Sequence, residues 1–348
     1  MAEENPKAVP VTTPMLLRAL LAYKETSVLR TALELRLFDA LAAGPAAAGE
    51  VAPVIGAPER STRILLRALA SIGFVVESGP AESPRYDLPP GGHDLLVTSS
   101  PRYAGGGALV AASHLEWESM GALTDIVRSG RTPLTVDAGS PGFGYWHDFA
   151  AHGTFATRPV AAGAADAVQQ WSAGRDGLRI LELGCGHALF GLEMCRRLPG
   201  STLTGVDWEE VLPAARKNAA EAGLGDRTTL IPGDLFTVDL AGPYDVVVAA
   251  NMLPQFSPED GARLLARGVS ALVPGGIGVA AGFTVGDQSA TREYGARMLS
   301  LLMLAWTQHG EVPTTAGYRD IFARAGIPDP TVLDLPGLPT RLFLGKRG

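Results

Sequence analysis

The chain has 348 residues, 46% hydrophobic and 19% charged, with a formal net charge of −7. That length suits two or three domains with a substantial core, and a sequence this apolar is not wholesale disordered. The acidic balance lacks the cationic surplus of a nucleic-acid binder. Two cysteines, Cys185 and Cys195, cannot build a disulfide framework or a four-thiolate zinc site.

Residues 1–13 are polar and proline-bearing, without the apolar core of a targeting peptide, and read as a flexible tail. With so few cysteines, a reducing cytoplasm is the expected setting. From Pro14 the periodicity is helical: Leu16, Leu17, Leu20 and Leu21, then Val28, Leu29, Ala32 and Leu33 recur at i, i+3, i+4. The apolar stripe continues through Leu37, Phe38 and Leu41 to Gly44-Pro45. Helices are expected over 49–55 and 58–73, and runs at 74–77 and 86–88 flank a polar turn like a small hairpin. Helices followed by a two-stranded ribbon are the layout of a winged helix, spanning residues 14–100. Arg60, Arg63 and Arg67 share one face of its third helix, yet residues 1–100 carry more acidic than basic side chains. Phosphate binding needs the opposite balance, so the module is expected to pack against protein.

Residues 101–176 read as a looser helical connector, interrupted near 105–107 and 138–144. From 177 to 348, short aliphatic runs (LRILEL, STLTGVD, TTLIP, YDVVVAAN, GIGVAAGF) alternate with helical stretches, the signature of an α/β domain with a mostly parallel sheet. The uncharged run between Arg267 and Asp287 is long enough for a membrane span. Pro274, Gly275 and Gly276 interrupt it, which predicts a helix end, a turn and a buried strand, and no membrane segment.

Chemistry concentrates at strand ends. The strand ILEL carries Glu182 and runs into Gly184 and Gly186 before a helix near 188–198. Glycine there lets backbone N–H groups approach a ligand, and the helix N-terminus adds a positive dipole end. A nicotinamide-dinucleotide fingerprint needs glycine at 189, where Leu189 stands. Asp207 ends the next strand, close to the roughly 20-residue spacing at which an acid meets ribose hydroxyls. Asp234 and Asn251 end the two strands after it.

Together ILELGCG, GVDW, PGDLF and YDVVVAANML resemble the motifs of class I S-adenosylmethionine-dependent methyltransferases. The winged helix, the connector and the closing VPTTAGYRDIFARAGI resemble more particularly the bacterial and plant small-molecule O-methyltransferases. The resemblance implies a Rossmann-like catalytic domain behind a winged-helix dimerisation domain, a homodimer formed through the latter, and S-adenosyl-L-methionine as cofactor. It places Gly184 and Gly186 along the methionine portion, Asp207 on the ribose, Trp208 near the adenine, and Asp234 with Leu235 and Phe236 facing the adenine ring. Glu182 and Asn251 complete the expected cofactor set. Trp146, Phe149, Met252, Gln255, Met303 and Trp306 are the expected acceptor contacts.

Two positions depart from the family pattern: Ala188 replaces the third loop glycine, and Pro254 stands where members carry the histidine that deprotonates the acceptor hydroxyl. Proline cannot accept a proton, and general-base catalysis contributes about 10²–10⁴-fold. The substitute bases are His147 and His152 in the connector, and His309 or Glu311 after the Met/Leu-rich helix. No two histidines have zinc-ligand spacing, so no metal is expected. The resulting expectation is O-, N- or C-methylation of a small aromatic secondary metabolite. The alternative is a reaction that keeps the cofactor without transferring methyl: rearrangement, decarboxylation or oxygenation. A nicotinamide oxidoreductase is disfavoured by Leu189, and a ligand-sensing regulator by the acidic N-terminal balance.

Overall fold

A computed structural model describes residues 10–348, so most of the expected tail, residues 1–9, lies outside the described residues. The chain divides into two compact units, Met1–Ala112 and Ser113–Gly348, which cuts the expected connector after its first helix.

The first unit runs α1 (Thr13–Glu34), α2 (Leu37–Ala40), β1 (Ala46–Ala47), α3 (Ala48–Val54), α4 (Glu59–Ser71), β2 (Val76–Ser78), β3 (Arg85–Asp87), α5 (Gly92–Leu96) and α6 (Gly105–Ala111). Its three strands pair antiparallel in the order β1-β3-β2, so the expected hairpin gains a third short strand from residues just before α3. The apolar stripe read from the sequence becomes the core: Leu33, Leu37, Phe38 and Leu41 pack with Leu66, Leu69 and Tyr86. Thr12 caps α1, its hydroxyl accepting the Met15 N–H.

The second unit opens with helices α7 (His114–Gly121), α8 (Leu123–Ser129), α9 (Tyr145–His152) and α10 (Thr154–Ser172). The alternating region follows: β4 (Arg179–Leu183), α11 (Leu189–Arg197), β5 (Thr202–Asp207), α12 (Leu212–Glu221), β6 (Thr228–Pro232), β7 (Tyr244–Ala250), α13 (Pro258–Ser270), β8 (Leu272–Phe283), α14 (Tyr294–Trp306), α15 (Thr315–Arg324), β9 (Thr331–Asp334) and β10 (Thr340–Lys346). Seven strands form one sheet in the order β6-β5-β4-β7-β8-β10-β9. β4 to β8 are parallel, while β10 runs antiparallel to β8 and β9. That closing pair, β9 of four residues and β10 of seven, escaped the sequence reading.

Both faces of the sheet are covered, and side-chain alternation sorts residues between them. Ile180, Val246 and Val248 join one core with α10 and α11. Leu181, Leu183, Val247 and Ala249 join the other with α13 and α15. The expected turn at 274–276 is absorbed into β8, whose register against β7 shifts between Tyr244 and Val246. Gly275, at φ +77°, takes the left-handed conformation this bulge needs, and its N–H donates to Arg347 O.

Close packing of α13 on the sheet depends on Gly268. A Cβ there would lie 2.7 Å from Val247 Cγ1 and 3.0 Å from Leu183 Cδ1. Alanine would gain about 1 kcal/mol of helix propensity, whereas overpacking costs about 1–3 kcal/mol. Gly268→Ala should therefore destabilise the chain by up to about 2 kcal/mol in urea denaturation; a raised midpoint would show that α13 can lift off the sheet freely.

Candidate active site

The strand order reverses beside β4: the chain lays down β5 and β6 on one side, then returns to place β7 on the other. Such a reversal opens a crevice at the carboxyl ends of the strands. A cavity lies there, lined by residues that follow β4, β5, β6 and β7, with α9 contributing Trp146 and Phe149.

The loop after β4 is built from backbone geometry. Gly184 (φ +59°), Gly186 (φ +52°) and Ala188 (φ +59°) are all left-handed. Ala188 thus occupies a conformation that costs an L-residue roughly 1–2 kcal/mol, and its side chain is fully buried. Asp207 ties the loop to the neighbouring strand. Its Oδ2 accepts the Gly186 N–H at 2.7 Å and its Oδ1 accepts the Trp208 N–H at 2.8 Å. Burial pushes the Asp207 carboxyl up to about 6, against the pull of those two N–H groups. After β6, Asp234 Oδ1 accepts the Phe236 N–H at 2.8 Å. At the end of β7, Asn251 adopts φ +56°, uncommon for a non-glycine residue.

All nine expected cofactor residues line this cavity: Glu182, Gly184, Gly186, Asp207, Trp208, Asp234, Leu235, Phe236 and Asn251. Glu182 differs in kind from the rest. It is 2% exposed, and its Oε2 accepts the Gly191 N–H at 2.8 Å, bracing the first turn of α11. Burial raises its carboxyl to about 8, so it is protonated at neutral pH.

Of the expected acceptor residues, Trp146, Phe149, Met252 and Gln255 line the cavity. Met303 and Trp306 do not. Both are buried in an aromatic cluster with Ile126, Ala138 and Phe143, behind the wall, because the Trp306 Nε1–H is drawn back to Ser119 Oγ at 2.8 Å. The four expected bases need a larger correction: His147, His152, His309 and Glu311 are all exposed, and none lines the cavity. His147 pairs with Asp148 at the surface, Nδ1 to Oδ1 3.0 Å. The chain after α14 presses its backbone onto the Pro254 turn, where a Cβ at Gly310 would lie 2.5 Å from Pro254 O. The side chains of His309 and Glu311 on either side stay in solvent.

Sequence reading left His187 without a role, since one histidine in a glycine-rich loop carries no pattern. It proves to line the cavity while 6% exposed. Its Nδ1 accepts the Leu189 N–H at 3.3 Å, and its Nε2 lies 3.3 Å from Thr157 Oγ1 on α10. Burial, with the charge of Arg158, lowers it to about 4, so it is neutral at neutral pH. Cys185 also lines the cavity; both cysteines are buried and free, as small hydrophobes. Among the described residues, no group of three or more His, Cys, Asp or Glu could hold a metal ion, and no helix is long and apolar enough to cross a membrane.

A methyltransferase-domain model matches residues 180–276, the stretch that builds this cavity, and an O-methyltransferase dimerisation-domain model matches residues 17–98. The acetylserotonin O-methyltransferase of Mus musculus molossinus is 32% identical over 324 residues, covering 87% of this chain and 81% of the relative. This chain belongs to the S-adenosylmethionine-dependent O-methyltransferases that act on small molecules. Another relative in this family, the 3-hydroxy-5-methyl-1-naphthoate 3-O-methyltransferase of Streptomyces sahachiroi, is 28% identical, covering 87% of this chain and 86% of the relative. The crystal structure of a putative O-methyltransferase from Nostoc punctiforme superposes with a TM-score of 0.87 at 26% identity, covering 97% of this chain and all of that one.

For this methyltransferase the buried acids set a pH signature. Glu182 has a folded pKa above its unfolded value of 4.5, so its contribution to stability is full below about 4.5 and is lost as pH rises through about 8. His187 has the opposite sense: its folded pKa lies below 6.5, so its contribution is present above 6.5 and is lost as pH falls through about 4. Between pH 7 and 8 the Glu182 effect is the larger, beside that of Glu116, which burial raises to about 7. Glu182→Gln, whose amide oxygen still accepts the Gly191 N–H, should flatten the fall in melting temperature across that window. An unaltered slope would place the titration elsewhere.

Proposed function

We propose that this chain methylates a small planar aromatic acceptor on oxygen, nitrogen or carbon, with the cofactor held at the carboxyl ends of β4 to β7. The observation that carries the reading is the Asp207 carboxylate. It is anchored by two backbone N–H groups and has lone pairs left on the cavity side, where vicinal hydroxyls of a ribose would donate. The donor set fits the cofactor otherwise as well: Asp234, Leu235 and Phe236 offer an acidic and apolar edge for an adenine, and Gly184 and Gly186 leave backbone open for the amino-acid portion. With Glu182 protonated, two acidic side chains, Asp207 and Asp234, remain to face a cationic ligand, and no lysine or arginine lines the cavity. Bound S-adenosylmethionine supplies an electrophilic methyl group on a sulfonium.

Trp146, Phe149, Phe256 and Met252 would orient the acceptor and exclude water, and positioning of this kind supplies roughly 7–11 kcal/mol in favourable cases. Pro254 brings no base, the four alternative bases are in solvent, and burial leaves the His187 imidazole in the wall only weakly basic. We therefore assign the acceptor a nucleophile that needs little proton removal in the cavity: an amine, an activated carbon or an acidic hydroxyl. Gln255, at the acceptor end, would hold it by hydrogen bonding.

Incubation with S-adenosylmethionine labelled in its methyl group tests the reading, using 3-amino-4-hydroxybenzoate, which carries an amine, and 3-hydroxy-5-methyl-1-naphthoate as acceptor probes. Label should pass to a probe with release of S-adenosylhomocysteine. Asp207→Asn should weaken cofactor binding at least about tenfold by calorimetry, the size expected for a lost charge-assisted hydrogen bond. Cofactor uptake with neither labelled product nor S-adenosylhomocysteine would shift the assignment to a reaction without methyl transfer. No uptake at all would end it.

We also propose a homodimer built on the N-terminal unit. Along α1, Leu16, Leu17, Leu20 and Leu21 are exposed by 55%, 54%, 59% and 46%, a contiguous apolar face of the kind that marks an interface. The match of residues 17–98 to a dimerisation domain supports the same partner. Sedimentation should give twice the chain mass, and the double variant Leu17→Glu, Leu20→Glu should halve it.

A further inference from the structure

Behind the aromatic wall, α7 presents two polar side chains on one face, Glu116 and Ser119, separated by the i, i+3 spacing that makes them neighbours. Each holds an aromatic. The Tyr145 hydroxyl donates to Glu116 Oε1 at 2.7 Å, and the Trp306 Nε1–H donates to Ser119 Oγ at 2.8 Å. A third handle is held by backbone, where the Trp146 Nε1–H donates to Ala138 O at 2.7 Å.

These held rings form one packed group. Tyr145 lies against Trp306 with centroids 4.5 Å apart, meets Trp146 nearly edge-on at 5.3 Å and 83°, and stacks on Phe149 at 6.2 Å and 18°. Trp146 and Phe149 are the α9 aromatics that line the cavity. Tyr145 is therefore the link between the cavity wall and α7. A half-buried carboxyl is an expensive way to hold a tyrosine: burial pushes Glu116 up to about 7, with the Tyr145 hydrogen bond opposing. Burial, then the nearby carboxylate, raises the Tyr145 phenol further, so the hydroxyl keeps its proton and stays the donor.

We propose that Glu116 is a positioning residue for the acceptor, holding Tyr145 so that Trp146 and Phe149 present a rigid, flat wall to a planar aromatic ring. The inference rests on the methyl-transfer reading for the identity of the cavity's second ligand. Glu116 touches no reacting atom; it acts through the first residue of α9. Its effect falls on acceptor binding and leaves the cofactor end, built from β4 to β7, unchanged.

The test uses the full chain loaded with S-adenosylhomocysteine, with 2-naphthol as the planar probe in equilibrium dialysis. Glu116→Ala and Tyr145→Phe should each weaken 2-naphthol binding about five- to tenfold, the range for one lost hydrogen bond between buried groups. Glu116→Gln, which keeps an acceptor oxygen, should stay within about twofold of the parent, and the Ala/Phe double variant should be no weaker than either single one. S-adenosylhomocysteine affinity, measured by calorimetry, should be the same in all. Parent-like binding by Glu116→Ala overturns the proposal, as does equal weakening by Ala and Gln. A parallel loss of S-adenosylhomocysteine binding also overturns it, because that marks general damage. A parent chain that binds S-adenosylhomocysteine but not 2-naphthol sinks the flat-wall inference alone, whereas one that binds neither sinks the methyl-transfer reading.

Discussion

Everything at the site follows from the doubling back of the chain between β6 and β7. Parallel strands direct their carboxyl ends to one side, and crossover helices cover the sheet faces. Where the order reverses, the helices diverge and the strand ends are left open. The loop after β4 meets the end of β5 in that opening, and the Asp207 carboxylate fastens them together through the Gly186 N–H. That bond adds to the Cys185 N–H donated to Val206 O at 3.1 Å, and together they hold the left-handed turns at Gly184, Gly186 and Ala188 against β5.

The cavity has two ends of different character. Along β4 to β6, carboxyl groups answer backbone N–H groups: Glu182 to Gly191, Asp207 to Gly186 and Trp208, Asp234 to Phe236. Burial raises Glu182 and Asp207, lowers His187, and thereby limits fixed charge in an enclosed space. Toward α9 the wall is aromatic. There order comes from ring packing and from hydrogen bonds behind the rings, and Phe236 stands edge-on to Phe256 at 5.5 Å where the two ends meet.

Much of this was legible in the chain because it is written in local patterns. Aliphatic runs of strand length alternating with helical stretches carry the parallel sheet, and glycine or an acid at a run's end marks where that sheet meets a ligand. The nine residues assigned to the cofactor end all reach the cavity, since each lies within a few residues of a strand terminus and has no freedom to be elsewhere. The acceptor end was less legible. Its residues come from the segment before α9, from α9 itself and from the turn after β7, segments whose mutual placement no periodicity encodes. Met303 and Trp306 have the composition of a pocket lining yet turn into a cluster behind it. Strands β9 and β10 were missed for a similar reason: they are identified by their antiparallel pairing, β10 on β8 and β9 on β10, and not by their own residues.

The resemblance of the chain's motifs to known methyltransferases pointed to the cofactor-end side chains and to Pro254 in place of the usual base, while residues alone gave the two-part architecture and the βα alternation. These rest on spacing along the chain, which survives without any knowledge of packing. Tertiary structure alone decided that His147, His152, His309 and Glu311 face solvent, that Glu182 braces α11, that His187 joins the wall, and that Glu116 reaches Tyr145 across 29 positions of sequence. Burial and long-range hydrogen bonds arise only when distant segments meet, and those are the quantities that determine which titratable group is a surface charge and which is part of a site.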